Sequence, residues 1–415
     1  MEFTAFLFTI GMALVLAKIF DTIFERYKLP GVLGELFLGI ILGSIFLYAY
    51  VFGPGVEEWV RNWIVIRSPT PFEGVEPVKF VANLGIIILL FIAGLETNVE
   101  QLKSTGKVAT ISTVLGVFVP LVLGFLLGIV LGYSSRESFV LGVLLTATSI
   151  GVTVRTLMDI HMLSTDVGAA SLSASVMDDF LGIFLIIFAV GGGSLLVFGI
   201  NLTVFILITF VAAWYYMPYI AKYTRKYIHT QKAMLGVFLG IMLLFSALAQ
   251  YSITAAIEGA YFAGITLSRV NEKRIIMEDI KAIGYGLLIP LFFVYTGAQL
   301  DVGVFIQKDA LILAAGILLA AIFGKLLGRS IGARIGGFDW HKAWQMGIGS
   351  IPRMEVALVS LTVAITSPLH PIPPEHVPLF LAATMVFVIV TTLITPPLLK
   401  ISFKKEIEEM KKHLS

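Results

Sequence analysis

Apolar runs of about twenty residues recur along almost the whole chain, separated by short polar segments. A helix of that length crosses a hydrocarbon core roughly 30 Å thick. The pattern predicts thirteen spans, near 3–24, 31–51, 78–95, 108–132, 137–159, 166–191, 197–220, 233–250, 253–268, 282–300, 310–333, 342–366 and 377–399. The short alternating segments of a membrane β-barrel are absent. The expected fold class is therefore an all-α polytopic membrane protein. The first run, Phe3–Phe20, has no basic stretch before it and reads as a retained span. The 52–77 connection carries Gly53-Pro54, Pro69, Pro71, Pro77 and two tryptophans, and is expected to lie at the membrane surface. The tail from Lys400 to Ser415 is short and mixed in charge, with no regulatory domain expected after it.

Alternating these spans sorts the basic residues onto two faces. Twenty-one lysines and arginines fall on one side and five on the other, while Lys18, Lys325 and Arg353 fall inside spans. Arg155 and Arg329 count among the twenty-one. Cytoplasmic loops collect Lys and Arg, so the C-terminus is expected in the cytoplasm and the N-terminus outside, in a multi-pass cell-membrane protein. Composition then removes other classes. The net charge of +2 gives no case for nucleic acid, and the absence of cysteine excludes a disulfide framework and thiolate chemistry. His161, His229, His341, His370 and His376 fall at loops or span ends and His413 in the tail, so no histidine constellation supports an enzyme.

The polar positions inside spans carry the chemistry. Asp178 and Asp179 are adjacent within an apolar segment running from Leu172 to Val190. One ionised aspartate at mid-bilayer costs about 2.5–3.5 kcal/mol on insertion scales, and such residues usually mark ion or proton pathways. Ser171, Ser175, Asp178 and Gly182 share one helix face, and Asp179 lies about 100° round from Asp178. Thr146-Ala147-Thr148-Ser149-Ile150-Gly151-Val152-Thr153 is poor helix and is expected to break at the midplane, exposing carbonyls. Gly347 to Arg353, with Pro352, is a second break, because proline removes a backbone donor and clashes with the preceding turn. Two interrupted spans in corresponding places indicate an inverted-repeat transporter with a midplane site. Lys325, deep in span eleven, needs a buried partner, and Asp178 or Asp179 is the candidate. Arg353 cannot lose its proton and needs a permanent anion, for which Glu355, Glu35 or Glu96 is available. Glu258 has no assigned role. Lys18, Asp21 and Glu25 fall on one face near a span end and read as a surface pair.

Several stretches together resemble the second cation/proton antiporter family, in particular its electrogenic sodium/proton exchangers. They are Leu29-Pro30-Gly31-Val32-Leu33-Gly34-Glu35, Phe91-Ile92-Ala93-Gly94-Leu95-Glu96-Thr97, Ala147-Thr148-Ser149, Asp178-Asp179, Ala260-Tyr261-Phe262-Ala263-Gly264, Pro290-Leu291-Phe292-Phe293 and Pro352-Arg353-Met354-Glu355-Val356-Ala357-Leu358. The resemblance implies a homodimer in membrane lipid and a core domain that moves as an elevator against a dimerisation domain. It implies scaffold spans over 1–107 and core over 108–191. A linker helix and further scaffold follow over 192–309, then core over 310–400 and a tail over 401–415. It implies Asp179 as principal carrier of sodium and protons, with Asp178 paired to Lys325 when sodium is absent. Helix geometry alone allows either acid in either role. Glu258 and Met354 depart from the family pattern.

The expected mechanism is competition. Burial disfavours an ionised carboxylate, so a buried acid can hold a proton near neutral pH. Sodium prefers hard oxygen ligands, here Asp178, Asp179, Thr148 or Ser149 hydroxyls and freed carbonyls. A second proton leaving Lys325 would make the exchange two protons per sodium. Set against the family's potassium/proton members, both adjacent acids and the short tail make the resemblance imply sodium rather than potassium. No cofactor is expected beyond the transported ions. A channel filter needs rings of ligands around a pore, which one asymmetric pair does not supply. An organic-anion carrier would suit Arg353 but not adjacent aspartates.

Overall fold

The computed structural model describes residues 2–52, 76–146, 148–190, 195–227, 232–253, 256–270, 272–299, 308–366 and 371–414, and every regular element among them is helical. The expected surface connection at 53–75 lies outside these residues, as do Ala147, His229 and His370. In chain order the helices are α1 (Glu2–Arg26), α2 (Gly31–Phe52), α3 (Glu76–Glu96) and α4 (Val99–Val130). Next come α5 (Ser135–Leu144), α6 (Ile150–Asp159), α7 (Asp166–Val190) and α8 (Leu195–Val211), which runs on through a wide turn at Ala212–Tyr216 into α9 (Met217–Tyr227). Then follow α10 (Ala233–Ile253), α11 (Ala256–Ser268) and α12 (Lys273–Ile283), which passes through a second wide turn, Gly284–Leu288, into α13 (Ile289–Ala298). Finally come α14 (Lys308–Gly336), α15 (Trp340–Ile348), α16 (Glu355–Thr366), α17 (Val377–Ser402) and α18 (Lys404–Leu414).

Among the described residues, 8 helices are long and apolar enough to cross a bilayer. The chain is a multi-pass membrane protein. Two boundaries differ most from the sequence expectation: helix begins at Val99 and not near 108, and at Lys273 and not near 282. The charged stretch Lys273–Ile283 hides a buried face containing Ile276 and Ile280, so helix continues where hydropathy alone reads loop.

The most extensive helix packing among the described residues joins α4 to α14. Gly324, Gly328, Gly332 and Gly336 recur every fourth residue and form one seam along α14. A Cβ on Gly328 would lie 2.5 Å from the Leu115 carbonyl oxygen, and one on Gly332 would lie 2.5 Å from Ser112 Cα. Only hydrogen fits there, so the two backbones touch as small-residue seams allow in membranes. Lys325 and Arg329 each follow a seam glycine, so the seam fixes where these two cations emerge.

Gly328→Val should push α4 and α14 apart and lower the melting temperature in detergent. Overpacking of this kind costs about 1–3 kcal/mol. Gly199→Ala in α8, where an added Cβ meets nothing within 4 Å, is the matched control and should leave the melting temperature unchanged or slightly raised.

Candidate ion-binding site

Both interrupted helices stop inside the molecule. α5 ends at Leu144 and α6 begins at Ile150, while α15 ends at Ile348 and α16 begins at Glu355. The two non-helical stretches meet. The Ser149 amide donates to the Pro352 carbonyl at 2.8 Å, and the Thr153 hydroxyl donates to the Gly349 carbonyl at 2.5 Å. Groups freed by one break are therefore satisfied by the other, as buried backbone requires.

Arg353 sits where the C-terminal ends of α5 and α15 converge. Its Nη2 donates to the Leu145 carbonyl at 3.1 Å, and its Nη1 to the carbonyls of Ser350 at 2.8 Å, Ile351 at 3.1 Å and Pro352 at 3.1 Å. The negative ends of two helix dipoles and their unpaired carbonyls face the guanidinium. Of the three carboxylates expected as partners for Arg353, Glu35 and Glu96 pair elsewhere. Glu35 instead faces Arg155 and Lys18, each at 3.7 Å. Glu96 pairs with Lys281. The side chain of Glu355 lies outside the described residues.

Asp178 is 1% exposed, and its Oδ2 collects three donors. Lys325 Nζ approaches to 2.8 Å, the Thr148 hydroxyl to 2.9 Å, and Arg329 Nη2 makes a close ion pair. Arg329 is anchored further by the hydroxyls of Ser350 at 2.9 Å and Thr113 at 3.2 Å. Lys325 and Arg329 are both fully buried, so α14 sets two cations against one anion. The other Asp178 oxygen, Oδ1, and the Ser149 hydroxyl are buried and make no hydrogen bond among the described residues. Their lone pairs suit a hard cation. Asp179, 4% exposed, lies within interaction range of the Glu258 carboxyl of α11.

Arg329 and Arg155 are corrections to the charge tally, which places both at the cytoplasmic surface. Each lies within a helix and faces an acid. Arg155, 5% exposed, pairs with its own Asp159 at 3.0 Å, and its guanidinium lies 4.5 Å from the Tyr285 ring centroid. The one available signal is spacing. Arg329 is four residues after Lys325, on the same helix face. Lys18 and Asp21 pair at 2.9 Å near the surface. His341 meets Glu406, and His376 meets Glu137, both at helix ends.

A family model described as the transmembrane sodium/hydrogen exchanger matches residues 11–401. The chain belongs to this sodium/hydrogen exchanger family. The Na(+)/H(+)-K(+) antiporter GerN of Bacillus cereus is 31% identical, over 99% of both chains. The Na(+)/H(+) antiporter of Enterococcus hirae is 30% identical, over 98% of this chain and 99% of its own. The solved sodium proton antiporter MjNhaP1 of Methanocaldococcus jannaschii has the same fold, with a TM-score of 0.60 over 98% of both chains at 16% identity. The sodium/hydrogen exchangers matched by this chain are transporters by name, not enzymes.

Stability should rank the Asp178 cluster. Asp178→Asn leaves two buried cations without an anion. It should cost about 3–5 kcal/mol, the usual penalty for breaking a buried pair. Lys325→Met or Arg329→Met leaves Asp178 one cation and should cost less. Adding Arg329→Met to Asp178→Asn should recover part of the loss in a detergent melting assay. Strict additivity of the two would contradict the pairing.

Proposed function

We propose that this protein exchanges sodium for protons across the cell membrane by alternating access, with Asp179 as the shared carrier. The observation that carries the reading is the commitment of Asp178 to Lys325, Arg329 and Thr148. Exchange then falls to its neighbour on the same helix. Sodium is received by Asp179, the hydroxyls of Thr148 and Ser149, and the second oxygen of Asp178. It enters only when Asp179 has given up its proton, so the two ions compete for one site.

The two cations on Asp178 differ in kind. Arginine keeps its proton in proteins, whereas lysine can shed one when desolvated. Arg329 therefore holds Asp178 as an anion throughout the cycle. Sodium drawing on Asp178 loosens Lys325, whose proton becomes the second to leave. The exchange is two protons per sodium and moves net charge, as in the electrogenic members of the second cation/proton antiporter family. Thirteen crossings place the N-terminus outside and the C-terminus in the cytoplasm. The broken helices α5–α6 and α15–α16 are the midplane elements of two inverted repeats. The core over 108–191 and 310–400 slides as an elevator against scaffold spans over 1–107 and 192–309, which dimerise. The charge network of Arg353 then serves the breaks and not the ion directly. A second reading adds potassium as cargo, because the name of the GerN relative includes potassium.

Proteoliposomes holding a pH gradient test this directly. Added sodium should collapse the gradient with wild-type protein and fail to do so with Asp179→Asn; sodium-driven collapse by that variant would overturn the carrier assignment. Potassium in the same assay decides the second reading. Lys325→Ala should retain exchange but lose the accompanying membrane current. A current of wild-type size would remove Lys325 as source of the second proton.

A further inference from the structure

Glu258 is a buried carboxyl that the proposed exchange cycle leaves unused. It lies in the first turn of α11 and is 7% exposed. Among the described residues no lysine or arginine pairs with it, and its carboxyl interacts with that of Asp179. An acidic group in that position is costly to bury without a cation.

The contact crosses between two groups of helices. α7, which carries Asp179, packs on α4, α5, α15 and α16. α11 packs chiefly on α3 and α10, and α8 touches both α7 and α11. Its position there is fixed by close backbone approach. A Cβ on Gly264 would lie 2.4 Å from the Phe91 carbonyl oxygen, and one on Gly259 would lie 2.5 Å from the Phe245 carbonyl oxygen. The backbone beside Glu258 is thus locked to helices that carry neither aspartate. Its side chain reaches out of that assembly to the carrier.

Charge makes a second carboxylate tolerable at this position. Asp178 with Lys325 and Arg329 carries one surplus positive charge. Asp179 and Glu258 with one bound monovalent ion between them carry one surplus negative charge. Buried Arg353 adds a further positive charge, so a second carboxylate offsets part of the surplus. Adding a carboxylate oxygen to a cation site also raises its field strength. A strong anionic field offsets the larger dehydration cost of a smaller ion, so it favours sodium over potassium.

We infer that Glu258 is a second carboxylate ligand for the cation carried by Asp179, supplied by α11, and that it sets the preference for sodium over potassium. The inference rests on the exchange function proposed above. The bland alternative is a hydrogen bond that merely holds α11 against α7. Glutamine distinguishes the two, because its amide still donates to Asp179 but lacks the charge.

The test is the KM for sodium and for potassium in proteoliposomes, for wild type, Glu258→Gln and Glu258→Asp. Glu258→Gln should raise the sodium KM about tenfold, with a smaller change in maximal rate, and lower the sodium-to-potassium preference by a similar factor. Glu258→Asp, which keeps the charge on a shorter stem, should fall between. Unchanged KM and preference in Glu258→Gln would overturn the inference, since a packing role survives that change. Where Glu258→Gln does not purify as a folded protein, Glu258→Asp carries the test, and an unaltered sodium KM overturns the inference equally. Absence of sodium-driven exchange in the wild type would instead refute the proposed function itself.

Discussion

The arrangement depends on one buried anion held by two buried cations. Asp178 cannot lie in an apolar interior ionised and alone. Lys325 and Arg329 reach it because the glycine seam of α14 brings that helix against α4, with both cations one residue past a seam glycine. Arg329 then ties the cluster to Ser350 in the second break, and Thr148 ties it to the first. The charge cluster, the helix seam and the two breaks are one connected object. Loosening any of them changes the field at Asp179.

The breaks themselves are stabilised by an economy of charge. Two helices ending in the interior present two negative dipole ends. Arg353 meets both, and the Ser149 amide and Thr153 hydroxyl of one break find carbonyls in the other. Under the proposed exchange, the remaining oxygen atoms of the site face a monovalent ion, and α11 contributes Glu258 from outside the cluster.

Much of this is legible in the chain. The apolar runs specify the helical membrane class, and Pro352 and the Thr146–Thr153 stretch mark both interruptions through backbone chemistry alone. The acid pair stands out because charge at mid-span is costly. What stays hidden depends on facing. Arg329 and Arg155 sit near span ends, where hydropathy cannot tell a buried arginine from one reaching the interface. The carbonyls that hold Arg353 belong to converging helix ends that exist only after folding. The charged face of Lys273–Ile283 reads as loop because its apolar positions are spaced around a helix and not in a run. Glu258 is visible but has no partner until α11 and α7 are placed together.

Sodium and protons competing at Asp179, while Asp178 stays an anion, is the proposal on which the mechanism turns. Calorimetry of sodium binding to the purified protein, repeated in buffers of different ionisation enthalpy, counts the protons released per ion bound. Competition at Asp179 requires release by the wild type, reduced release by Lys325→Ala, and none by Asp179→Asn. Undiminished proton release on sodium binding to Asp179→Asn would contradict it.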